Sequence, residues 1–186
     1  FLTGLGLADS TYPRGSGNLA VRIPYRDETG QERATQFRVA LQRPESGPSY
    51  HWPKGTKTLL YGLWRRELDE KSIIIVEGPS DCHTLWYHGY NAVGVPGASN
   101  FKDSRDAEAL ESYTRIYVVI EPGSSGEALL GRLAKSKTRH RVYLVRLDAF
   151  KDPSEMHDDD PDSFKARFDA ALEAAKPWHE YEADAA

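Results

Sequence analysis

The chain has 186 residues, of which 39% are apolar, 28% charged and 11% aromatic, a balance that suits one ordinary domain or two small ones with a real core, rather than a disordered or fibrous chain. Its longest apolar runs, residues 73–76 and 116–120, fall far short of the ~20 residues that cross a bilayer as a helix. A single cysteine, Cys82, excludes an internal disulfide and leaves a cysteine-rich zinc site without a second thiolate. The net charge of −4 conceals a polarised chain, +5 over residues 1–66 and −9 over the remainder. That pattern suits a protein that meets a polyanion with one part and gathers carboxylates around a cation with another, and it equally suits two solvated surfaces of unlike charge.

Up to about Gly17 the residues are rich in Gly, Ser, Thr and Pro without a clear period, which predicts a loop or an extended lead-in. Residues 19–23 and 34–41 then alternate as strands, joined through Asp27-Glu-Thr-Gly30, a hairpin turn with glycine at its end. A loop with Pro44, Gly47, Pro48 and Pro53 follows, and the apolar stretch 59–64 leads into Arg65-Arg66 and then into acidic residues 67–70. That charge switch sets the expected boundary: a small basic subdomain (1–66), a larger domain (67–176) and a C-terminal tail (177–186).

Beyond the switch the rhythm becomes strand and helix in alternation. Residues 72–76 form a continuous β-branched run, as a buried parallel strand should, and residues 80–88 a short helix closed by Gly89. Strands at 91–95, 116–120 and 142–147 alternate with helices at 104–112 and 126–135, and a long helix at 161–175 ends the series. Four such units predict an open parallel sheet covered by helices on both faces.

In sheets of that kind ligands bind outside the carboxyl ends of the strands. Acids follow three of the four strands: Glu77, with Asp81 in the next helical turn; Glu121; and Asp148 with Asp152 after Lys151. Crowded carboxylates repel unless a cation neutralises them. An oxygen-only set suits magnesium or manganese and points to phosphoryl or nucleotidyl transfer, with Glu77 placed to accept a proton from an attacking hydroxyl. Each acid also has a plainer reading. Asp81 would favour a helix N-terminus, Asp152 before Pro153 would serve a turn, and Glu121 would be a solvated loop acid. The adjacent Gly78 suggests that the backbone after Glu77 turns sharply or approaches something closely.

The stretch Ile73-Ile-Ile-Val-Glu-Gly-Pro-Ser-Asp81, then Gly89, Asn91-Ala-Val-Gly-Val-Pro-Gly97, a strand ending in an acid with Gly126 beyond it, and Lys151-Asp-Pro153 together resemble the TOPRIM domain shared by primases, topoisomerases and some nucleases, over about residues 70–160. Upstream, Ile23-Pro-Tyr-Arg-Asp-Glu-Thr-Gly30 with Phe37-Arg38, and Lys57-Thr-Leu-Leu-Tyr-Gly-Leu-Trp64, look like the small basic subdomain that precedes TOPRIM in bacterial and phage primases. The resemblance implies a TOPRIM-like open parallel sheet flanked by helices, preceded by a small basic α+β subdomain. It implies synthesis of RNA primers on single-stranded DNA from ribonucleoside triphosphates, with Mg2+ or Mn2+. Glu77 becomes the catalytic acid-base residue with Asp81 its companion, and Glu77, Glu121 and Asp152 become metal-site acids.

The family's second motif usually reads Asp-x-Asp before a glycine, whereas this chain has Glu121-Pro122-Gly123: one acid is lengthened by a methylene and the second is absent. Asp148, Glu155, Asp158, Asp159 or Asp160 would have to compensate, although 157–160 also reads as a solvated run capping the final helix. A non-catalytic nucleic-acid-binding module with an eroded metal site, and a metal-dependent TOPRIM nuclease, are the rival readings. The resemblance places the chain in the replication protein of a phage, plasmid or other mobile element, with a zinc module and a helicase domain or subunit as further expectations. The chain opens on Phe1 and holds one methionine, Met156, which predicts a piece of a longer protein. No secretory leader is visible, which favours the cytoplasm.

For nucleic acid the basic part offers Arg22, Arg26, Arg38, Arg43, Lys54 and Lys57 with Tyr25, Phe37, Tyr50, His51 and Trp52 among them, cations for phosphates and rings for bases. Arg22 and Arg38 are expected on a common exposed strand face, and the resemblance adds weight to Arg38 and Lys57; Phe37 and Tyr61 read as core. The loop 95–100 and the Ser124-Ser-Gly126 turn either meet an anion through backbone N–H groups or are a plain turn and a helix cap. Cys82 reads as buried packing, and His83 has no partner at metal-ligand spacing.

Overall fold

A computed structural model describes residues 1–13, 15–40 and 47–184; Arg43 and the end of the second expected strand lie outside the described residues. The chain divides into two compact units, Phe1–Leu59 and Leu60–Ala186.

The first unit is an antiparallel sheet of β1 (Ala8–Thr11), β2 (Leu19–Arg26), β3 (Glu32–Arg38) and β4 (Tyr50–His51), in that order. The β2–β3 hairpin is set by its turn. The Asp27 carboxylate accepts the backbone N–H groups of Thr29 and Gln31, both at 3.0 Å, and Gly30 takes a positive φ of 81°, where a Cβ would be strained. The Thr29 hydroxyl and then the Arg33 guanidinium hold the Asp27 carboxyl down at about 2. One face of the hairpin is buried: Ile23 lies opposite Gln36 and Tyr25 opposite Ala34, with the Tyr25 hydroxyl donating to Gln36 Oε1 at 3.2 Å. β1 falls within the stretch expected as a loop or an extended lead-in. It is an edge strand with no buried residue, held by pairing with β2, so it carries no apolar alternation to read.

The second unit holds a five-stranded sheet in the order β6-β5-β7-β8-β9, made of β5 (Ser72–Val76), β6 (Ala92–Gly94), β7 (Arg115–Val119), β8 (Val142–Val145) and β9 (Lys176–Pro177). The first four run parallel, as expected, and β9 pairs antiparallel to β8. The helices are α1 (Pro79–Tyr87), α2 (Asp103–Ala109), α3 (Ser124–Leu133), α4 (Pro153–Asp159), α5 (Phe164–Glu173) and α6 (Trp178–Asp184). Ile73, Ile75, Val93, Ile116, Val118 and Val145 are fully buried, which is why these strands read as unbroken apolar runs. None of the helices is long and apolar enough to cross a membrane, among the described residues.

Three boundaries differ from the sequence reading. Leu60 and Tyr61 are buried, and Tyr61 exchanges both backbone hydrogen bonds with Gly94, at 2.8 and 2.9 Å, so the chain joins the second unit before the charge switch at 66. Charge marks a surface, and packing decides the unit. The expected tail from 177 contributes β9 and α6, with Trp178 only 4% exposed. Finally, α4 stands as a separate helix ahead of α5, started by Asp152 as its cap with Pro153 in the first turn.

Candidate metal centre

The strand order places the site. The chain leaves β5 for β6 on one side and β7 for β8 on the other, so the connections diverge between β5 and β7 and open a crevice at their carboxyl ends. Glu77 follows β5 and Glu121 follows β7. α3 then packs close against the end of β7: a Cβ on Gly126 would stand 2.0 Å from the Glu121 carbonyl oxygen, so only glycine lets this helix start here. Gly78 is extended, with φ −167°, and a Cβ there would meet nothing. The close approach lies at Gly94 instead, whose Cβ would stand 3.0 Å from the Gly78 carbonyl oxygen.

Asp81, Glu121 and Asp152 each present an oxygen within 4.8 Å of the others. Asp81 sits in the first turn of α1, 5% exposed, where its Oδ1 accepts the Ser154 hydroxyl at 2.7 Å and the Ser154 N–H at 3.2 Å. Burial, and then the neighbouring charge of Asp152, push its carboxyl up to about 7. Asp152 Oδ1 accepts the Glu155 N–H at 2.8 Å as the cap of α4, which leaves its second oxygen for the site. Glu121 is 9% exposed, and burial raises its pKa even with an ammonium beside it.

Glu77 stands beside this group. Its Oε2 accepts the Ser125 hydroxyl, while its Oε1 is buried without a hydrogen-bond partner. Burial raises its pKa, and Glu121 and Asp152 add to the rise. Lys151 closes the constellation, its Nζ 3.0 Å from Glu121 Oε2 and 3.1 Å from Asp152 Oδ2. Burial opposes its charge, but the two ion pairs hold the ammonium above its usual pKa.

Of the five acids read at the strand ends, Glu77, Asp81, Glu121 and Asp152 meet on one rim and Asp148 does not join them, with Asp81 rather than Glu77 completing the tightest group. Lys151, Ser125 and Ser154 were not singled out as site residues. Their only signal is adjacency, Lys151 and Ser154 flanking the Asp-Pro pair and Ser125 lying in the Ser-Ser-Gly turn. The Ser-Ser-Gly turn thus orients a carboxylate, and loop 95–100 closes on itself, Asn100 Nδ2 donating to the Pro96 carbonyl at 3.0 Å.

None of the acids proposed to compensate for Gly123 belongs to the group within 4.8 Å. Asp159 pairs with Arg167 at 2.6 Å, Asp160 accepts the Asp162 and Ser163 N–H groups ahead of α5, and Glu155 accepts the Lys151 N–H. Asp148 lines a separate cavity with Arg146, Lys176 and Tyr181, and Asp158 is exposed. Gly123 itself has φ 85° and ψ −162°, a conformation that would strain an aspartate.

In the first unit the register separates the two arginines expected to share a face. Arg22 lies opposite Phe37, and Arg38 lies opposite Val21, so their side chains alternate to opposite sides of the sheet. Arg22 pairs with Glu32 on the side where Phe37 stacks on Tyr12 at 4.9 Å and His51 stands 5.2 Å from Tyr12. Phe37 is half-buried there rather than core. Arg38 lies over the Tyr50 ring at 5.4 Å, donates to the Ala40 carbonyl, and borders a cavity with Asp9, Leu19 and Val21. Lys54 and Lys57 are exposed. Tyr61 and Cys82 are buried as expected, and His83 Nε2 meets the Tyr61 hydroxyl at 2.8 Å.

No protein-family model matches the chain, and no curated protein matches it by sequence. Solved structures do match by fold. A DNA primase domain from Pseudomonas aeruginosa superposes with a TM-score of 0.70 at 23% identity, over 97% of this chain and 60% of that one. The RNA polymerase domain of Mycobacterium tuberculosis primase DnaG gives 0.73 at 16% identity, over 97% and 63%. A DnaG primase catalytic domain bound to single-stranded DNA gives 0.66 at 22% identity, over 86% and 52%. The chain thus spans between about half and two thirds of the length of these structures, and the TOPRIM-type α/β fold implied by its motifs is the fold it has.

Proposed function

We propose, on the premise that this chain has the fold of a bacterial primase catalytic core, that it is a primase-type RNA polymerase core joining ribonucleotides on single-stranded DNA. One observation carries the reading: Asp81, Glu121 and Asp152 converge within 4.8 Å beside a Glu77 oxygen that is buried and unpartnered. Hard oxygen donors at this spacing fit Mg2+ or Mn2+, and Asp81, Glu121 and Asp152 would hold the ion. Bound there, it would neutralise phosphate charge as a Lewis acid.

Glu77 is the general base. Burial holds its pKa above the usual carboxylate range, and the Ser125 hydroxyl engages one oxygen, which leaves the other to take the proton of an attacking 3′-hydroxyl. Asp81 is held by Ser154, which ties α1 to the start of α4 and keeps two acids in register. The basic first unit supplies template and nucleotide contacts through Arg22, Arg38, Lys54 and Lys57. A helicase partner and a place in a phage, plasmid or other mobile-element replication protein follow from the motif resemblance, and a cytoplasmic setting completes the reading.

The test is primer synthesis with Mn2+, a single-stranded template and labelled ribonucleotides, run beside Glu77→Gln. Products from the parent that vanish in the variant support polymerisation; DNA cleavage with metal alone would replace this reading with a nuclease. One observation favours a second reading, a binding module without turnover: at Gly123 the backbone conformation itself disfavours the missing acid. Template binding without any product, with the neighbouring domains restored, would establish that reading instead.

A further inference from the structure

Four carboxylates from three segments cannot all stay ionised in a half-buried rim without a positive charge among them. In this structure the charge is internal. Lys151 reaches two of the acids, 3.0 Å from Glu121 Oε2 and 3.1 Å from Asp152 Oδ2, and those two residues also belong to the converging group. We propose that Lys151 is a tethered counter-ion that holds the Glu121–Asp152 pair when no metal is bound and must leave it for a divalent cation to bind. The proposal rests on the metal reading given above and adds to it what sets the metal affinity.

The ammonium and a divalent ion would share the same carboxylates. A divalent ion drawing on the same carboxylates at ~2.0–2.6 Å would stand within a few ångströms of the ammonium, and the two positive charges repel at that separation. Lysine is suited to such exchange. Its charge is compact, its four-carbon stem flexible, and the side chain is 57% exposed, so it can swing into solvent without leaving a hole. An arginine there would grip a carboxylate with two donors and release it less readily. Since Gly123 supplies no further acid, one ammonium already offsets a large share of the site's charge, and the competition is correspondingly strong.

The experiment measures Mn2+ binding directly, by the electron paramagnetic resonance signal of free Mn2+, on the whole chain. Lys151→Met keeps length and apolar bulk without the charge, and Lys151→Gln, run in parallel, guards against a fold defect read by circular dichroism. Both should bind Mn2+ on the order of tenfold more tightly than the parent, the size expected when two ion pairs of this exposure no longer oppose the metal. Both should also melt at lower temperature without metal and recover with it. Lys151→Arg should bind Mn2+ no better than the parent, and Asp152→Asn should lose binding. Equal affinity in the parent and the two neutral variants would overturn the role of Lys151 and leave the metal reading standing. No Mn2+ binding by any of these proteins, or binding that survives Asp152→Asn, would overturn the metal reading and this inference with it.

Discussion

The acidic rim and the basic sheet both leave a residue pattern in the chain, and they differ in how far that pattern fixes the geometry. On the rim, Glu77, Asp81, Glu121 and Asp152 come from three separate strand ends, and the parallel topology brings them together. On the sheet, Arg22 and Arg38 are strand neighbours by pairing, and the register sends them to opposite faces. The difference is one of tolerance. Every parallel strand of an open sheet delivers its carboxyl end to the same edge, so an error of a residue or two in a boundary leaves an acid on that edge. A face assignment in an antiparallel pair inverts with a shift of a single residue.

The largest effects should fall on the rim. Glu77→Gln or Asp152→Asn should lower primer synthesis by about 10^2-fold or more, the range for losing a general base or a metal-bound carboxylate, with circular dichroism unchanged. A variant retaining full turnover would break the rim as the site of chemistry. Next in size is Gly126→Ala, since its Cβ would meet the Glu121 carbonyl oxygen. Overpacking of this kind costs about 1–3 kcal/mol, readable by urea unfolding, and an unchanged midpoint would show that α3 can shift without cost.

A pH series tests the rim's electrostatics. The Asp81 carboxyl titrates near 3.8 when unfolded and is raised to about 7 in the folded chain. The folded state therefore holds the proton more tightly, and the stability linked to this group is complete below about pH 4 and is lost as pH rises toward 7. Melting temperature without metal should fall across that window, and Asp81→Asn should flatten the slope; a parent slope retained in the variant would assign it to other groups.

The smallest effects belong to the basic sheet. Lys54→Ala and Lys57→Ala should each weaken binding of a single-stranded oligonucleotide a few-fold and lower its salt slope by about one. Because Arg22 and Arg38 lie on opposite faces, their alanine substitutions should add without coupling. A coupling energy above about 0.5 kcal/mol in a double-mutant cycle would mean that one strand of nucleic acid engages both faces.

The sequence by itself determined the strand–helix alternation from Ser72 onward, the parallel sheet, and the acids that stand at its edge, because buried strands and their polar ends leave a pattern within a few residues of chain. Only the tertiary structure decided that Asp81 completes the tight group, that Lys151 bridges two of its neighbours, that Ser125 and Ser154 hold the acids in place, and that β1, β9 and α6 exist at all. Those features depend on contacts between residues tens of positions apart, or on edge pairing that buries little, and neither leaves a local trace. The same holds for Gly123: its lack of a carboxylate is plain in the chain, while the positive φ that makes a carboxylate unwelcome there is a backbone conformation that only the folded chain shows.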